Sequence, residues 1–344
     1  MKSLKYKLLA SCLIFFIAIT FSCKKKTENI IPQTDSNNIS FIETTPNLGA
    51  VPFVAPLRSS NPVLMAKRDA KIYVFLKTTA GGDFSVSGFS YDVNANSFNT
   101  VKSLATGLFI SSNGYSSTLT AVSNGLWYAS PNVSLLYGIG TDSWTSYNPS
   151  VSAGANNGVC TMLDKVYYAG NIYSGNGGLL AAVGFNVYDY SKGIWATLAN
   201  LPYLAENPAM QPYNNQFIYA IGGEQLASGS TTKKFAMYNS QNNTWASLPN
   251  LPFDYYAPIN GHTTTILKNK YLLVYSYGNK IYLYNLETKL WNNNPILNLG
   301  EFEDLTNINI FSNSNAATDD GDAFYIAGTT ISGGVFKIKK YTIK

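Results

Sequence analysis

Short apolar runs separated by polar turns organise this chain, and no long stretch shows a helical stripe. Six runs recur: 72–76 (IYVFL), 126–129 (LWYA), 166–169 (VYYA), 217–221 (FIYAI), 271–275 (YLLVY) and 323–327 (AFYIA). Each follows a short polar turn, at 67–70, 123–125, 164–165, 214–216, 268–270 and 319–322. Runs of about four to eight residues rich in Val, Ile, Tyr and Phe, bounded by turn-forming residues, predict β-strands. Their apolar character at consecutive positions predicts strands covered on both faces.

A second regularity follows each run. Five times an aromatic residue stands seven positions after a tyrosine: Tyr91 and Phe98, Tyr137 and Trp144, Tyr188 and Trp195, Tyr238 and Trp245, Tyr284 and Trp291. The second members are 46, 51, 50 and 46 residues apart, and four of the chain's five tryptophans sit in this column, Trp127 being the exception. The six residues between, such as 239–244, are polar and turn-prone, as a hairpin tip requires. A period near 50 residues suits one four-stranded blade of a β-propeller.

The clearest copy, FIYAIGGEQLASGSTTKKFAMYNSQNNTWASLPNLP at 217–252, resembles a kelch repeat: an apolar strand, a Gly pair, a Tyr, then a Trp across a polar hairpin. The resemblance extends over about residues 60–344 and implies an all-β, six-bladed kelch-type β-propeller. The sixth copy has its tyrosine, Tyr341, but the chain stops at Lys344 before a final aromatic strand. An unpaired edge would result. The segment 41–49 (FIETTPNLG) resembles 291–300 (WNNNPILNLG), so the ring is expected to be closed by an N-terminal strand, with Phe41 in place of the missing tryptophan.

Charge and cysteines place the ring behind a leader. Three lysines precede an apolar run at 8–21, interrupted only by Ser11, Cys12 and Thr20, and Ser22-Cys23 follow. Fourteen residues are shorter than the roughly 20 a membrane helix needs, but suit a signal-peptide core. The leader resembles those of Bacteroidetes-type lipoproteins, which implies a signal peptide at 1–22, lipidation at Cys23 and a flexible polar tether at 23–38. The propeller, 39–344, is then expected in the cell envelope as a monomer, attached to the membrane, outer rather than inner, through its lipid only. Without the six lysines of the leader and Lys24–26 run the net charge of +5 falls to −1, and without Glu28 and Asp35 the rest stands at +1. Such a body, with only Arg58 and Arg68 as arginines, offers no footprint for nucleic acid. Cys160 remains alone in an apolar stretch, a buried inert thiol rather than a nucleophile.

Composition excludes several chemistries. A kelch-type copper-radical oxidase needs two histidine ligands, and the chain has one, His262. A His/Cys metal site fails for the same reason. Asp319-Asp320-Gly321-Asp322 sits where the other copies have their first turn and lacks the remaining spacing of a calcium loop. No nucleophile elbow, phosphate-binding glycine loop or zinc helix is present. No metal and no cofactor are expected. Some six-bladed kelch proteins are sugar mutarotases or epimerases acting through general acid and base groups. The segments entering the inner strands offer Glu206 and Asn207, Tyr255 and Tyr256, Asn260 and His262; Glu206 and His262 are the acid and base that such chemistry would use. Glu224, after Gly222-Gly223, is expected at the same mouth.

Register gives a further expectation. From Leu76, Ser130, Gly170, Gly222, Ser276 and Gly328 to the repeat tyrosine the chain takes 15, 7, 18, 16, 8 and 13 residues. Blades two and five are short, and in a six-blade ring they are opposite. Long connectors then form two walls of a trough open at both ends, carrying Asn171, Tyr173, Asn176 and Glu224 on one side and Asp83 on the other. Tyr and Asn there suit a glycan or polypeptide. The expected function is a non-enzymatic binding or scaffold module for a glycan or protein in the envelope, with a carbohydrate mutarotase or epimerase as the alternative.

Overall fold

The computed structural model describes residues 39–44, 63–80, 83–103, 118–129, 134–147, 153–173, 179–225, 230–255, 263–276, 278–300, 309–312, 321–329 and 336–344. Contacts divide the chain into Met1–Ile31 and Pro32–Lys344. The expected leader, Cys23 and the tether to 38 lie outside the described residues, as do Asp319 and Asp320.

Strand β1 (Phe41–Thr44) precedes the first blade. Blade one is β2 (Val63–Arg68), β3 (Lys71–Ala80), β4 (Asp83–Asp92) and β5 (Ser97–Val101), and blade two is β6 (Thr118–Val122), β7 (Gly125–Ala129), β8 (Ser134–Gly138) and β9 (Ser143–Tyr147). Blade three is β10 (Ala153–Met162), β11 (Lys165–Tyr173), β12 (Leu179–Asp189) and β13 (Ile194–Thr197). In blade four, β14 (Ala209–Tyr213) and β15 (Phe217–Ile221) are followed by a separate hairpin, β16 (Glu224–Gln225) with β17 (Ser230–Thr231), before β18 (Phe235–Asn239) and β19 (Thr244–Ser247). Blade five is β20 (Thr264–Leu267), β21 (Tyr271–Ser276) and β22 (Lys280–Asn285), its outer edge split into β23 (Leu290–Trp291) and β24 (Leu297–Asn298). Blade six is β25 (Asn309–Ser312), β26 (Ala323–Thr329) and β27 (Phe336–Ile343), completed by β1. Successive inner strands are neighbours, and β25 returns to β2. The molecule is a six-bladed β-propeller closed by its N-terminal strand, as the repeat predicts.

A blade is too thin to hold a core of its own. Its middle strands are therefore buried on both sides, as in β7, where every residue of GLWYA is buried. Six apolar clusters result among the described residues, each between two blades: Phe75, Leu126 and Tyr137 join blades one and two, and Tyr325 and Ile338 of blade six join Val74 and Tyr91 of blade one. All six repeat tyrosines are at most 5% exposed.

The aromatic column has a second, directional task. The indole of Trp144 donates to the carbonyl of Lys102, that of Trp245 to Ala199 and that of Trp291 to Pro249, at 3.1, 2.8 and 3.3 Å. Each acceptor lies just beyond the outer strand of the preceding blade. The hairpin-tip residue five after the tyrosine completes the clamp. Asp142 accepts from the Tyr137 hydroxyl at 2.6 Å and the Lys102 amide at 2.7 Å, and Asn243 accepts from Tyr238 and the Ala199 amide at 3.0 and 2.9 Å. In blade one Asn96 accepts from Tyr91 at 2.7 Å. These tips need a left-handed backbone, with φ of 51° at Asn96, 48° at Asp142, 68° at Gly193, 54° at Asn243 and 59° at Lys289. Asn, Asp and Gly adopt it most readily, which accounts for the polar spacer in the repeat. The Tyr137 bond first, then the Lys102 amide, hold Asp142 below its ordinary 3.8. Its contribution is present above that value and is lost as pH falls through the lowered one.

Blade five departs from this scheme on both sides at once. The preceding crossover presents Pro249, which has no amide proton, and the tip is Lys289, which has no acceptor. Among the described residues the Tyr284 hydroxyl is left buried without a partner.

The closing strand corrects one expectation. Register places Glu43, not Phe41, opposite Tyr341, while Phe41 faces Ile343. Phe41 packs edge-on against Phe324 at 5.4 Å. Blade six has no hairpin tip to supply an acceptor, and Glu43 takes that task. Its carboxylate accepts from the Tyr341 hydroxyl at 3.2 Å and pairs with Lys339 at 2.6 Å.

Two outcomes follow from these contacts. Deleting residues 39–44 removes a paired strand, the Phe41 packing and the Glu43 acceptor, and should lower stability by about 3 kcal/mol or more in denaturant unfolding; an unchanged midpoint would show that the ring does not depend on this strand. Lys289→Asn gives Tyr284 an acceptor and the tip a residue suited to its backbone, so the midpoint should rise by the equivalent of about 1 kcal/mol.

Candidate functional site

Because strands alternate in direction along each blade, the connectors from second to third strand and the crossovers between blades emerge on one face. Connector heights differ around it. The β3–β4 ladder runs ten pairs, from Lys71 with Asp92 to Ala80 with Asp83, whereas β7–β8 has five and β21–β22 six. Five further pairs amount to about 17 Å along a strand. The β11–β12 ladder continues to Tyr173 with Leu179, the β26–β27 ladder has seven pairs, and blade four adds β16–β17. The long connectors expected as loops are thus partly extensions of the ladders, and blades two and five carry the short ones.

The crossovers into blades four and five share one design. LANLPYLAENP at 198–208 and LPNLPFDYYAP at 248–258 share two leucines and two prolines in register, Leu198 with Leu248, Leu201 with Leu251, Pro202 with Pro252 and Pro208 with Pro258. Leu198 and Leu201 donate to Phe185 and Val183, and Leu248 and Leu251 donate to Phe235 and Lys233, at 2.8–2.9 Å. Leu201 and Leu251 are buried, so each crossover leaves its blade as a pinned continuation of the outer strand.

Between these crossovers sits the Gly-Gly pair. Gly222 has φ 56°, and a β-carbon there would overlap the Tyr255 ring; Gly223 has φ 111°, and a β-carbon there would stand 2.6 Å from the Glu206 carbonyl oxygen and 2.8 Å from Ala205. One glycine admits the crossover on each side. Both positions need glycine for backbone and for space.

The close approach at Gly223 lets Glu206 and Glu224 form a reciprocal antiparallel bridge. Each amide donates to the other's carbonyl, at 2.7 and 2.9 Å. Residues directly opposite in an antiparallel pair project to the same side, so the two carboxyl side chains share a face. Glu206 is 4% exposed and Glu224 is half-buried. Burial first, then the charge of Glu206, push the Glu224 carboxyl above its ordinary 4.5.

The remaining candidates separate. Asn207 is half-buried beside Glu206, with φ 47°. Tyr255 is a correction: it is fully buried, its hydroxyl 2.7 Å from that of Thr263, and it packs on Gly222 rather than facing a ligand. Its ring is the filler that the missing side chain of Gly222 makes room for. Asp83 stands at the tip of the β3–β4 ladder, and Asn171 and Tyr173 lie on β11; only their backbones are described. Asn176, Tyr256, Asn260 and His262 lie outside the described residues. Glu206 was expected to work with His262, whereas the partner that the fold brings to it is Glu224. Cys160 is buried, as expected, and burial pushes its thiol well up. Among the described residues no group of three or more His, Cys, Asp or Glu side chains is placed to hold a metal.

Six four-stranded blades, a Gly pair admitting the crossovers and a Tyr-to-Trp clamp make up a six-bladed β-propeller whose repeat resembles the kelch repeat. No protein-family model matches the chain. A curated relative, the Kelch-like protein terF of Aspergillus terreus (strain NIH 2624 / FGSC A1156), is 28% identical over 136 residues, or 38% of this chain. The chain spans 30% of that relative's length. Among solved structures, that of YjhT matches with a TM-score of 0.54 over 84% of this chain and 98% of that one, at 12% identity, a likeness of fold alone. These findings support a kelch-repeat propeller.

Gly222→Ala tests the close approach. The left-handed backbone and the overlap with Tyr255 together should lower stability by about 2–4 kcal/mol in denaturant unfolding. An unchanged midpoint would mean that the crossover is not held against this glycine.

Proposed function

We propose that this protein is a non-enzymatic binding or scaffold module, held in the cell envelope by a lipid on Cys23, which takes a glycan or protein segment in a trough across its connector face. The observation carrying this reading is the connector series: ten ladder pairs in blade one, and in blade four a five-pair ladder topped by the β16–β17 hairpin, against bare ladders of five pairs in blade two and six in blade five. Two low blades opposite each other leave the trough open at both ends, a shape for an extended ligand rather than an enclosed small molecule. The residue types in its walls, Tyr173 and Asn171 in blade three and Asp83 in blade one, are ones that stack on and hydrogen-bond a sugar ring or peptide. Envelope attachment rests on the leader: three lysines, an apolar run too short to span a membrane, and Ser22-Cys23.

A second reading, a carbohydrate mutarotase or epimerase, is favoured by the Glu206–Glu224 pair. A buried glutamate beside one with a raised proton affinity supplies the acid and base such chemistry needs.

Paired insertions distinguish these readings, once a glycan array or an envelope pull-down has supplied a purified partner. A long loop placed between Tyr277 and Lys280 should block one end of the trough and weaken binding at least tenfold, at small cost to the fold. The same loop between Leu286 and Lys289, on the opposite face, should leave binding unchanged. Equal effects from both, or none from either, would remove the trough. Accelerated anomeric exchange of a free sugar, followed by NMR and abolished by Glu206→Gln or Glu224→Gln, would instead establish the enzyme.

A further inference from the structure

We propose that the face opposite the connectors rests on the bilayer that holds the anchor, through Leu163 and Ile194 of blade three, so that the trough points away from that bilayer. The contact rests on the lipid proposed for Cys23 and not on the ligand of the trough.

The direction of β1 sets where the chain enters the ring. Crossovers and second-to-third-strand connectors occupy one face, so first turns and hairpin tips occupy the other. As the third strand of its blade, β27 runs from the connector face to the tip face. Its antiparallel partner β1 runs back, from Phe41 opposite Ile343 to Thr44 opposite Lys340, and the Lys344 amide donates to the Ser40 carbonyl at 3.0 Å. The chain therefore enters at Ile39 on the tip face. Ile39 lies sixteen residues after Cys23, about 55 Å at full stretch. Presenting the connector face to the bilayer would use part of that length on the height of a blade, about 17 Å for a five-pair ladder.

The same face carries apolar side chains at places where other blades have polar ones. The first residue of the first turn is Asp69, Ser123, Asn214 and Lys268 in blades one, two, four and five, but Leu163 in blade three. Leu163 has φ 50°, a left-handed backbone that Asn and Asp adopt more readily, and it is 61% exposed. A second such place lies in the outer strand, level with the start of the second strand. It holds Ser97, Ser143 and Thr244 in blades one, two and four. In blade three it holds Ile194, and in blade six Ile42, 57% and 51% exposed. Leu290 of blade five occupies it half-buried.

A single exposed leucine carries little meaning. Here three of the four exposed large apolar side chains among the described residues lie towards the tip face, and two share one blade. Lys165 and Lys192 stand within two residues of them, matched in charge by Asp164 and Asp189. Apolar side chains next to lysines suit the boundary between acyl chains and headgroups. With the charges matched, apolar contact rather than electrostatic attraction holds this edge.

Energy transfer to the bilayer tests the contact. The lipidated protein is reconstituted on the outside of vesicles of phosphatidylethanolamine and phosphatidylglycerol that carry a headgroup-linked acceptor. A donor dye is placed at either end of blade four, at Gln241→Cys on the hairpin tip or Leu204→Cys on the crossover, both exposed positions. Cys160 is buried and stays unlabelled. Transfer from the tip dye should exceed that from the crossover dye at least about twofold, since a five-pair ladder separates the two ends by about 17 Å. Raising salt to about 0.5 M should leave the difference in place. Leu163→Asn together with Ile194→Ser, residue types of the other blades, should bring the two values together without lowering the unfolding midpoint. Equal transfer in the wild type, stronger transfer from the crossover dye, or a difference untouched by the double substitution would each overturn the contact. Equal transfer with an envelope protein retained by the wild type and lost by the double variant would assign the two residues to a protein partner instead. Mass spectrometry separates the failures: an unmodified Cys23 removes the anchor and this contact with it, whereas a lipid on Cys23 with equal transfer overturns the contact alone.

Discussion

A blade of this ring cannot bury its own faces, so everything depends on how each blade is fastened to the one before it. The fastening is a clamp of three parts from one hairpin. A buried tyrosine and a second aromatic pack between the blades; in blades two, four and five the indole N–H binds a carbonyl just past the previous outer strand, and in blades two and four the hairpin tip binds the tyrosine hydroxyl and the neighbouring amide. In blades two and four all these bonds are present. Dispersion and apolar burial supply most of the attraction, and the hydrogen bonds set the angle at which the next blade follows. In blade five the amide donor and tip acceptor disappear together, at Pro249 and Lys289. The crossover there presents no unpaired amide, and the hydroxyl of Tyr284 bears the loss.

Ring closure obeys the same rule with different residues. The last interface has no hairpin, since its outer strand comes from the other end of the chain. Glu43 reaches Tyr341 from the opposite strand, and Lys339 balances the carboxylate. Six interfaces without a common core make the ring cooperative, because opening any one exposes apolar faces on two blades. The N-terminal strand is small, but one of those interfaces relies on it.

Rigid blades leave variation to the connector face. The Gly-Gly pair of blade four lets two crossovers approach its base, and that approach assembles the facing glutamates. Where ladders lengthen, in blades one and three, the second and third strands stay paired as far as Ala80 with Asp83 and Tyr173 with Leu179.

Strand positions, the six-blade count and the identity of the closing segment were legible in the sequence because they follow from local patterns. Apolar runs, turn residues and a tyrosine seven positions before an aromatic each report on neighbours along the chain, and the repeat multiplies that signal. Connector lengths were legible for the same reason, since they are distances counted along the chain. The register of β1 was not. Phe41 and Glu43 lie on one short strand, and either satisfies its pattern; only pairing with β27 and the vacant acceptor opposite Tyr341 decide between them. Tyr255 likewise reads as an exposed aromatic in a polar crossover until Gly222 opens a space for it in the core. The bridge between Glu206 and Glu224 joins a crossover to a connector from a different part of the blade. No periodicity relates those two residues, and their approach depends on a glycine at 223 that admits a backbone where any other residue would exclude it. Sequence alone thus determined what repeats locally, and tertiary structure decided what meets across a distance, because such meetings depend on space left by third residues.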